Sequence, residues 1–541
     1  MTRSIDKIWQ TILPDGKLPY RSIYIFGIVA LAASLPLSIF TTSVAEIILV
    51  ANWILERNFR EKWSILRSRK SVLLIISIYL VHVLWLINTS DYSYAFHDLK
   101  IKLPMLVLPV VIGTSKALER IQIKWILVFF VCAVLAGTLV STAVLFNIIP
   151  YRIVDVREIS LFVDHIRFSL LINIAIYSLL YITLSGEYRL MRWEYYVYSI
   201  VALWLILFLV MLQSLTGLFV FIITGFLLFW IYIRKLKHIM VRWTIAVFII
   251  AAALISVSYL AKALSDFYSI EEIDRDQMDE LTANGNPYSH DFRNKQFENG
   301  KYVWLYLCET ELKNEWNKRS SIAYDGKDLK GHEIKYTIIR YMTSKGLRKD
   351  SIGVSRLTDK DIILIENGTA NYIYSRKLSL YSKVYEVLWQ IDVLRRGENP
   401  SGHSVTQRIL YLQAGIGIIK QNIWFGTGTG DVAKAFSKYY DETGSKLDKR
   451  WRLRAHNQYV TFFITFGIFG FLWIMFSLIY PAFPEKKWKD YFFVMFFIIG
   501  FLSMFNEDTL ETHIGISFFS FFYSIFLLGV KNIPSDEAGK T

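Results

Sequence analysis

Ahead of one apolar run, in "RLRAHNQYVTFFITFGIFGFLWIMFSLIY", the chain sets Arg452, Arg454 and His456. An arginine offers a planar, permanently charged fork that grips phosphate or carboxylate oxygens two at a time. A histidine, with an ordinary pKa of about 6.5, accepts a proton at neutral pH, and cationic neighbours favour its neutral, proton-accepting form. Two more arginines stand beside apolar stretches: Arg167 in "FVDHIRFSLL", and Arg408 in "HSVTQRILYLQAG" ahead of the glycine-bearing "WFGTGTGD". The chemistry available to this set is the holding of an anion by guanidinium groups and the removal of a proton by His456. A plainer alternative stands beside each. Arginines at span ends snorkel to the membrane surface, and a lone interfacial histidine serves as a hydrogen-bonded structural residue. Gly426, Gly428 and Gly430 lack the Gly-Lys-Ser/Thr of a phosphate loop and the strand of a dinucleotide fold. They read as a turn that lets backbone approach a ligand or repositions the preceding helix. Glu507, Asp508 and Glu511, with His513, fill "FNEDTLETH". They are suited to balancing the arginines, orienting His456 or binding a metal, although no diagnostic metal spacing is present.

The elements that must position these residues are membrane helices. The chain has 541 residues, 54% hydrophobic, 16% aromatic and only 20% charged, too apolar for a soluble enzyme of this length. A hydrocarbon core of about 30 Å needs roughly 20 apolar helical residues, and the runs lack the alternation of barrel strands. The expected spans are residues 24–40, 42–55, 71–87, 101–114, 125–146, 168–184, 195–212, 217–233, 244–262, 457–480, 491–505 and 513–530. That makes an all-α polytopic membrane protein of about twelve transmembrane helices, the second, fourth and eleventh being short. Lys and Arg crowd into "RNFREKWSILRSRK", "SKALERIQIK", "GEYRLMRW", "RKLKHIMVR" and "PEKKWKD", whereas the short segments between them hold only Lys100, Lys102, Arg152, Arg157 and Arg167. The crowded segments are therefore assigned to the cytoplasm. The formal charge of +14 is mostly a topology signal, so nucleic acid is not an expected partner.

This orientation makes residues 1–23 and 531–541 cytoplasmic tails and puts the long polar segment, residues 263–456, outside. The N-terminus has no apolar core with a small-residue cleavage site, and is read as retained. Within the segment, "KYVWLYL", "HEIKYTIIRYM" and "DIILIENG" alternate like strands, so a large outer (periplasmic) loop domain of mixed α/β character is expected. An amphipathic helix near residues 404–424 follows, with Ser404 as candidate cap and an apolar face suited to the membrane surface. Cys132 lies in an apolar run and Cys308 in the polar segment, which argues against a mutual disulfide and a redox role.

"RAHNQYVTFFITFGIFG" resembles the His-Asn-x-Tyr then Gly-x-x-Gly signature of the O-antigen ligase and O-antigen polymerase superfamily, preceded as there by an Arg-bearing helix and "FGTGTGD". The likeness extends to "DHIRFS", "LQSLTGL" and "LSMFNEDTLETHIG", while residues 263–400 match only in the position and size of the loop. One departure is Leu215, where many relatives carry arginine after the serine of that turn. The resemblance implies a metal-independent, cofactor-free glycosyltransferase of the bacterial inner membrane. It would move a glycan from undecaprenyl diphosphate to an acceptor hydroxyl at the periplasmic face, a lipid A core sugar in ligase members. Arg167 and Arg408 match the family positions for holding the diphosphate, Arg454 is a local candidate, and His456 would take the acceptor proton. Asn457 and Gln458 would orient it or the sugar, and Gly426 and Gly428 would line the approach. The implied partners are the lipid-linked donor, a glycan or lipid A core acceptor and membrane lipids, with no protein partner assigned. A polymerase, a protein O-oligosaccharyltransferase and, more remotely, a flippase of lipid-linked sugars are the competing readings.

Overall fold

Each expected apolar run carries a helix in the computed structural model, which describes residues 20–151, 156–232, 239–375, 379–397 and 399–530. The expected tails fall largely outside the described residues. Six helices among those described are long and apolar enough to cross a membrane: Lys70–Asn88, Arg120–Leu145, His165–Leu184, Arg192–Met211, Leu215–Tyr232 and Gln458–Ala482. Tyr20–Ser34, Tyr491–Ser503 and His513–Gly529 are shorter apolar helices. The Ile39–Leu55 helix turns through 109° into Phe59–Ser68, where Arg57 and Asn58 both take positive φ and the sequence becomes charged.

Contacts divide the chain into two units, Met1–Lys237 with Asn399–Thr541, and His238–Glu398. The first has a continuous apolar core from Tyr24 through Phe130, Leu171 and Phe208 to Phe496 and Phe522. Side-chain caps set the helix starts that matter for the site. Asp164 accepts from the Ile166 amide, Asn457 from Val460 and Thr512 from Gly515. Basic segments assigned to one face bind one another, through Arg69–Glu485 at 2.6 Å, Arg120–Asp490 at 2.8 Å and Lys124–Glu194 at 3.0 Å. Residues assigned to the other face are joined by a separate set around Glu507 and Glu511.

The second unit differs from the mixed α/β expectation. Among the described residues its paired strands are Phe297–Glu298 and Lys301–Tyr302, so "KYVWLYL" is strand only at its first two residues. "HEIKYTIIRYM" forms the Ile334–Ser344 helix, because Ile334, Ile338, Tyr341 and Met342 fall on one face at helical spacing and are buried together. "DIILIENG" lies in the Asp359–Glu366 helix, begun by a reciprocal cap: the Asp361 amide donates to Thr358 Oγ1 at 3.2 Å and the Thr358 amide to Asp361 Oδ2 at 2.8 Å. This unit also includes the Ile239–Tyr268 helix, whereas Ser404–Gln421 belongs to the first. Ser404 is the first helical residue rather than the cap, which is His403. One apolar face of that helix, with Tyr411, Ala414 and Ile418, packs on Val432–Glu442 and the Gln458–Ile479 helix, while Leu412 and Ile416 stay exposed.

Candidate active site

Glu507 lies between three residues that are far apart in sequence. Its Oε1 is 3.9 Å from Arg167 Nη2 and 3.5 Å from His456 Nδ1, and its Oε2 is 3.5 Å from Arg408 Nη2. The carboxylate is buried and the histidine is part-exposed. Each member comes from a different element. Arg167 is in the first turn of His165–Leu184, Arg408 in the first turns of Ser404–Gln421, His456 just ahead of Gln458–Ile479, and Glu507 in the loop after Tyr491–Ser503. His456 takes a φ of 48°, a left-handed conformation costly for a residue with a Cβ. Its ring sits 5.7 Å from that of Tyr411, whose hydroxyl is fixed by donation to the Trp451 carbonyl at 2.6 Å.

The arginines here are loosely neutralised. All three contacts to Glu507 are longer than the roughly 2.8 Å of a charged hydrogen bond, and the buried Nε of Arg167 has no hydrogen-bond partner among the described residues. Asp164 adds a second carboxylate, 3.7 Å from Arg167. Burial pushes the Asp164 carboxyl up, but the His165 hydrogen bond and the charges of His165 and Arg167 bring it down to about 2.

One helical turn further along the loop, Glu511 organises a tighter network. Its Oε2 is 2.9 Å from both Lys102 Nζ and Arg454 Nη1, and its Oε1 accepts from Gln458 Nε2 at 3.0 Å. Lys102 also pairs with Asp98 at 2.5 Å, and Arg454 donates to Tyr94 Oη at 2.5 Å. Burial works to raise Glu511, yet Lys102 and Arg454 outweigh it and hold the carboxyl well below its usual range. Asp508, between the two sites, is raised by burial and by Glu511 although Thr461 donates to it at 2.8 Å.

The expected site residues thus separate. His456, Arg167 and Arg408 come together at Glu507. The structure gives Arg454 a different place, its guanidinium already committed to Glu511 and Tyr94. Asn457 caps its helix and donates to the Phe505 carbonyl at 2.9 Å. Gln458, fully buried, bonds Glu511 and accepts from the Leu510 amide at 2.8 Å. These three brace the loop that carries Glu507.

Gly426 and Gly428 serve the backbone. The helix after His456 is interrupted at Gly467, with φ 61°, and the loop fills the break: Thr427 N donates to Ile464 O at 2.8 Å, Gly428 N to Thr465 O at 3.0 Å, and Ile468 N to Ile423 O at 2.8 Å. A Cβ on Gly426 would lie 2.4 Å from the Thr465 carbonyl oxygen, and one on Gly428 2.1 Å from that of Asn88. "LQSLTGL" packs against the start of the Arg167 helix, where Asn173 donates to the Gly217 carbonyl at 3.0 Å and Ser214 to Ser169 at 3.2 Å. Leu215 is exposed. His513 turns away to Glu46, at 3.4 Å. The sequence reading missed Asp98, Lys102 and Tyr94, although Asp98 and Lys102 stand four residues apart on one helical face.

Residues 367–475 match the family model described as O-Antigen ligase. Over that stretch the chain is similar to the O-antigen ligase family, and the match supports an O-antigen ligase-like protein. The match covers Arg408, the glycine segment and His456, and leaves Arg167 and Glu507, which complete the cluster, outside its limits. No curated protein matches the chain. The match supports a function of O-antigen ligase or polymerase type, and the apolar helices support a multi-pass membrane protein.

Proposed function

We propose that the protein is a lipid-linked-glycan-dependent glycosyltransferase that moves a glycan from undecaprenyl diphosphate to a lipid A core sugar hydroxyl at the periplasmic face of the inner membrane. The observation that carries this reading is the gathering of Arg167, Arg408 and His456 around Glu507. With Nδ1 facing Glu507, His456 keeps Nε2 for the acceptor. Nε2 takes the hydroxyl proton as the acceptor oxygen forms its bond to the anomeric carbon. The bond from that carbon to the diphosphate oxygen breaks, and its electron pair leaves with the diphosphate. The charge growing on the leaving oxygen meets two guanidinium groups that Glu507 and Asp164, at 3.5 to 3.9 Å, only partly neutralise, and fixed donors of this kind stabilise it better than water does. The buried Nε of Arg167, without a hydrogen-bond partner among the described residues, fits such an anion.

The test is reconstitution of the purified protein with undecaprenyl-diphosphate glycan and lipid A core, measuring donor affinity and transfer separately. Wild type transfers glycan to the core. His456→Ala loses about 10²- to 10⁴-fold in rate while donor binding survives. His456→Gly, which relaxes the left-handed backbone, behaves the same way and separates folding from chemistry. Ladder growth of free glycan with no core modification would move the reading to a polymerase, and transfer within a few fold of wild type would remove His456 from the mechanism.

A further inference from the structure

We propose that the second unit, His238–Glu398, carries its own binding cleft for a neutral oligosaccharide, built on the Asn299–Gly300 turn and on Tyr381 and Tyr385. This deepens the preceding reading, because it rests on the protein handling a glycan at all. The cleft is a cavity of about 400 Å³ lined by Asn299, Lys301, Ser344, Lys345, Tyr381 and Tyr385 among others, within the range of small-molecule sites. None of these residues belongs to the Glu507 cluster.

The floor is rigid for reasons readable residue by residue. Glu298 pairs with Lys301 across the hairpin, leaving Asn299–Gly300 as a two-residue turn with φ of 52° and 77°, the Asn-Gly geometry such turns favour. A Cβ on Gly300 would lie 2.3 Å from the Ser269 carbonyl oxygen, so only glycine fits. The Asn299 amide donates to Tyr385 Oη at 3.0 Å and its side chain to the Ser344 carbonyl at 2.8 Å. Beneath, fully buried Asn371 donates to Glu298 at 2.7 Å and to Asn299 Oδ1 at 3.0 Å, and Arg340 pairs with Glu298 at 2.7 Å. A polar turn braced this way holds its outward groups in place for a ligand.

The charges and rings select the ligand class. Among the described residues of the lining, Lys301 is paired with Glu271 at 2.8 Å and Lys345 with Asp361 at 2.8 Å, and the Asp266 carboxylate stands beside them, so the described lining favours no phosphate. Tyr381 and Tyr385 stand one turn apart on the Leu380–Arg395 helix, their rings 6.4 Å from each other, with Phe267 packed edge-on behind Tyr385. The part-exposed ring of Tyr381, with buried Tyr385 behind it, stands beside amide, hydroxyl and charged groups, a lining that suits a chain whose sugars present C–H faces and hydroxyl edges. The cleft therefore takes the glycan portion of a substrate and not its diphosphate.

The test uses the full chain in lipid nanodiscs, with oligosaccharide released from the undecaprenyl-diphosphate donor by mild acid as the probe. Binding is read by saturation-transfer NMR and titration calorimetry. Wild type and His456→Ala bind the free oligosaccharide alike, and inorganic diphosphate does not compete. Tyr381→Ala and Asn299→Gly each weaken binding about tenfold. Asn299→Gly keeps the left-handed turn but loses the bonds to Ser344 and Asn371, so the guard against a folding artefact is Tyr381→Phe, which keeps the ring and binds like wild type. Absence of binding to wild type, equal binding in both cleft variants, loss in His456→Ala, or competition by diphosphate would each overturn the cleft. A protein that transfers no glycan yet binds oligosaccharide in a Tyr381-dependent manner would instead remove the enzymatic reading and leave the cleft standing.

Discussion

Replacing Glu507 by glutamine removes one charge and keeps the shape of the side chain at the centre of the cluster. At 3.5 to 3.9 Å and an effective dielectric of about 20, each arginine contact carries a gross attraction of about 4 to 5 kcal/mol. Most of it is offset by desolvating the buried carboxylate and by solvent around Arg408, whose side chain is 35% exposed, leaving roughly 1 kcal/mol each. The variant should fold. Its anionic donor meets two arginines with Glu507 no longer competing and Asp164 alone left beside Arg167, so donor affinity stays equal or rises. His456 loses the group that orients Nδ1, and a displacement of the base by about 1 Å costs on the order of 10²-fold in rate. The assay is transfer rate against donor concentration in reconstituted vesicles, with Kd from donor binding alone. A drop in kcat with unchanged or tighter Kd is the expected split. A wild-type rate would refute the orienting role, and weaker donor binding would refute the electrostatic argument.

Arg167→Lys and Arg408→Lys keep the charge and lose the fork, so each should lower donor affinity and rate at least about tenfold; full activity in both would return these residues to surface snorkelling. Glu511→Gln strands Arg454, leaves Lys102 with Asp98 alone, and should cost about 3 to 5 kcal/mol by thermal melting. Asp508→Asn should not. Its carboxyl is raised in the folded protein, so ionisation opposes folding. The stabilisation by Asp508→Asn should be present at neutral pH and vanish as pH falls to about 4; equal losses in the two variants would contradict the assignment. Gly426→Ala adds a Cβ 2.4 Å from a carbonyl oxygen at a φ of 68° and should destabilise by more than about 1 kcal/mol, with an unchanged melt as the contrary result. In a background lacking Cys132 and Cys308, a membrane-impermeant thiol reagent should label Ala283→Cys and spare Glu61→Cys, and the reverse pattern would invert the orientation.

The class of molecule was legible in one dimension because spanning a bilayer imposes a local requirement, a run of apolar residues long enough to be helical, and each expected run holds a helix. His456, Arg167 and Arg408 were legible because a charge at the mouth of such a run is conspicuous in its surroundings. Three matters were decided only by packing. "HEIKYTIIRYM" satisfies both a strand and a helix period over so short a window, and burial of Ile334, Ile338, Tyr341 and Met342 in one core selected the helix. Arg454 stands two residues from His456 and looks equivalent to the other arginines in sequence, yet Glu511 and Tyr94 claim it. Gly426 and Gly428 read as a turn that admits a ligand or repositions the preceding helix until the break at Gly467, more than thirty residues later, shows which carbonyls their loop must satisfy. Side-chain chemistry and hydropathy belong to single residues and their neighbours, so sequence carries them; which carboxylate meets which cation depends on elements hundreds of residues apart, and only the folded bundle sets that distance.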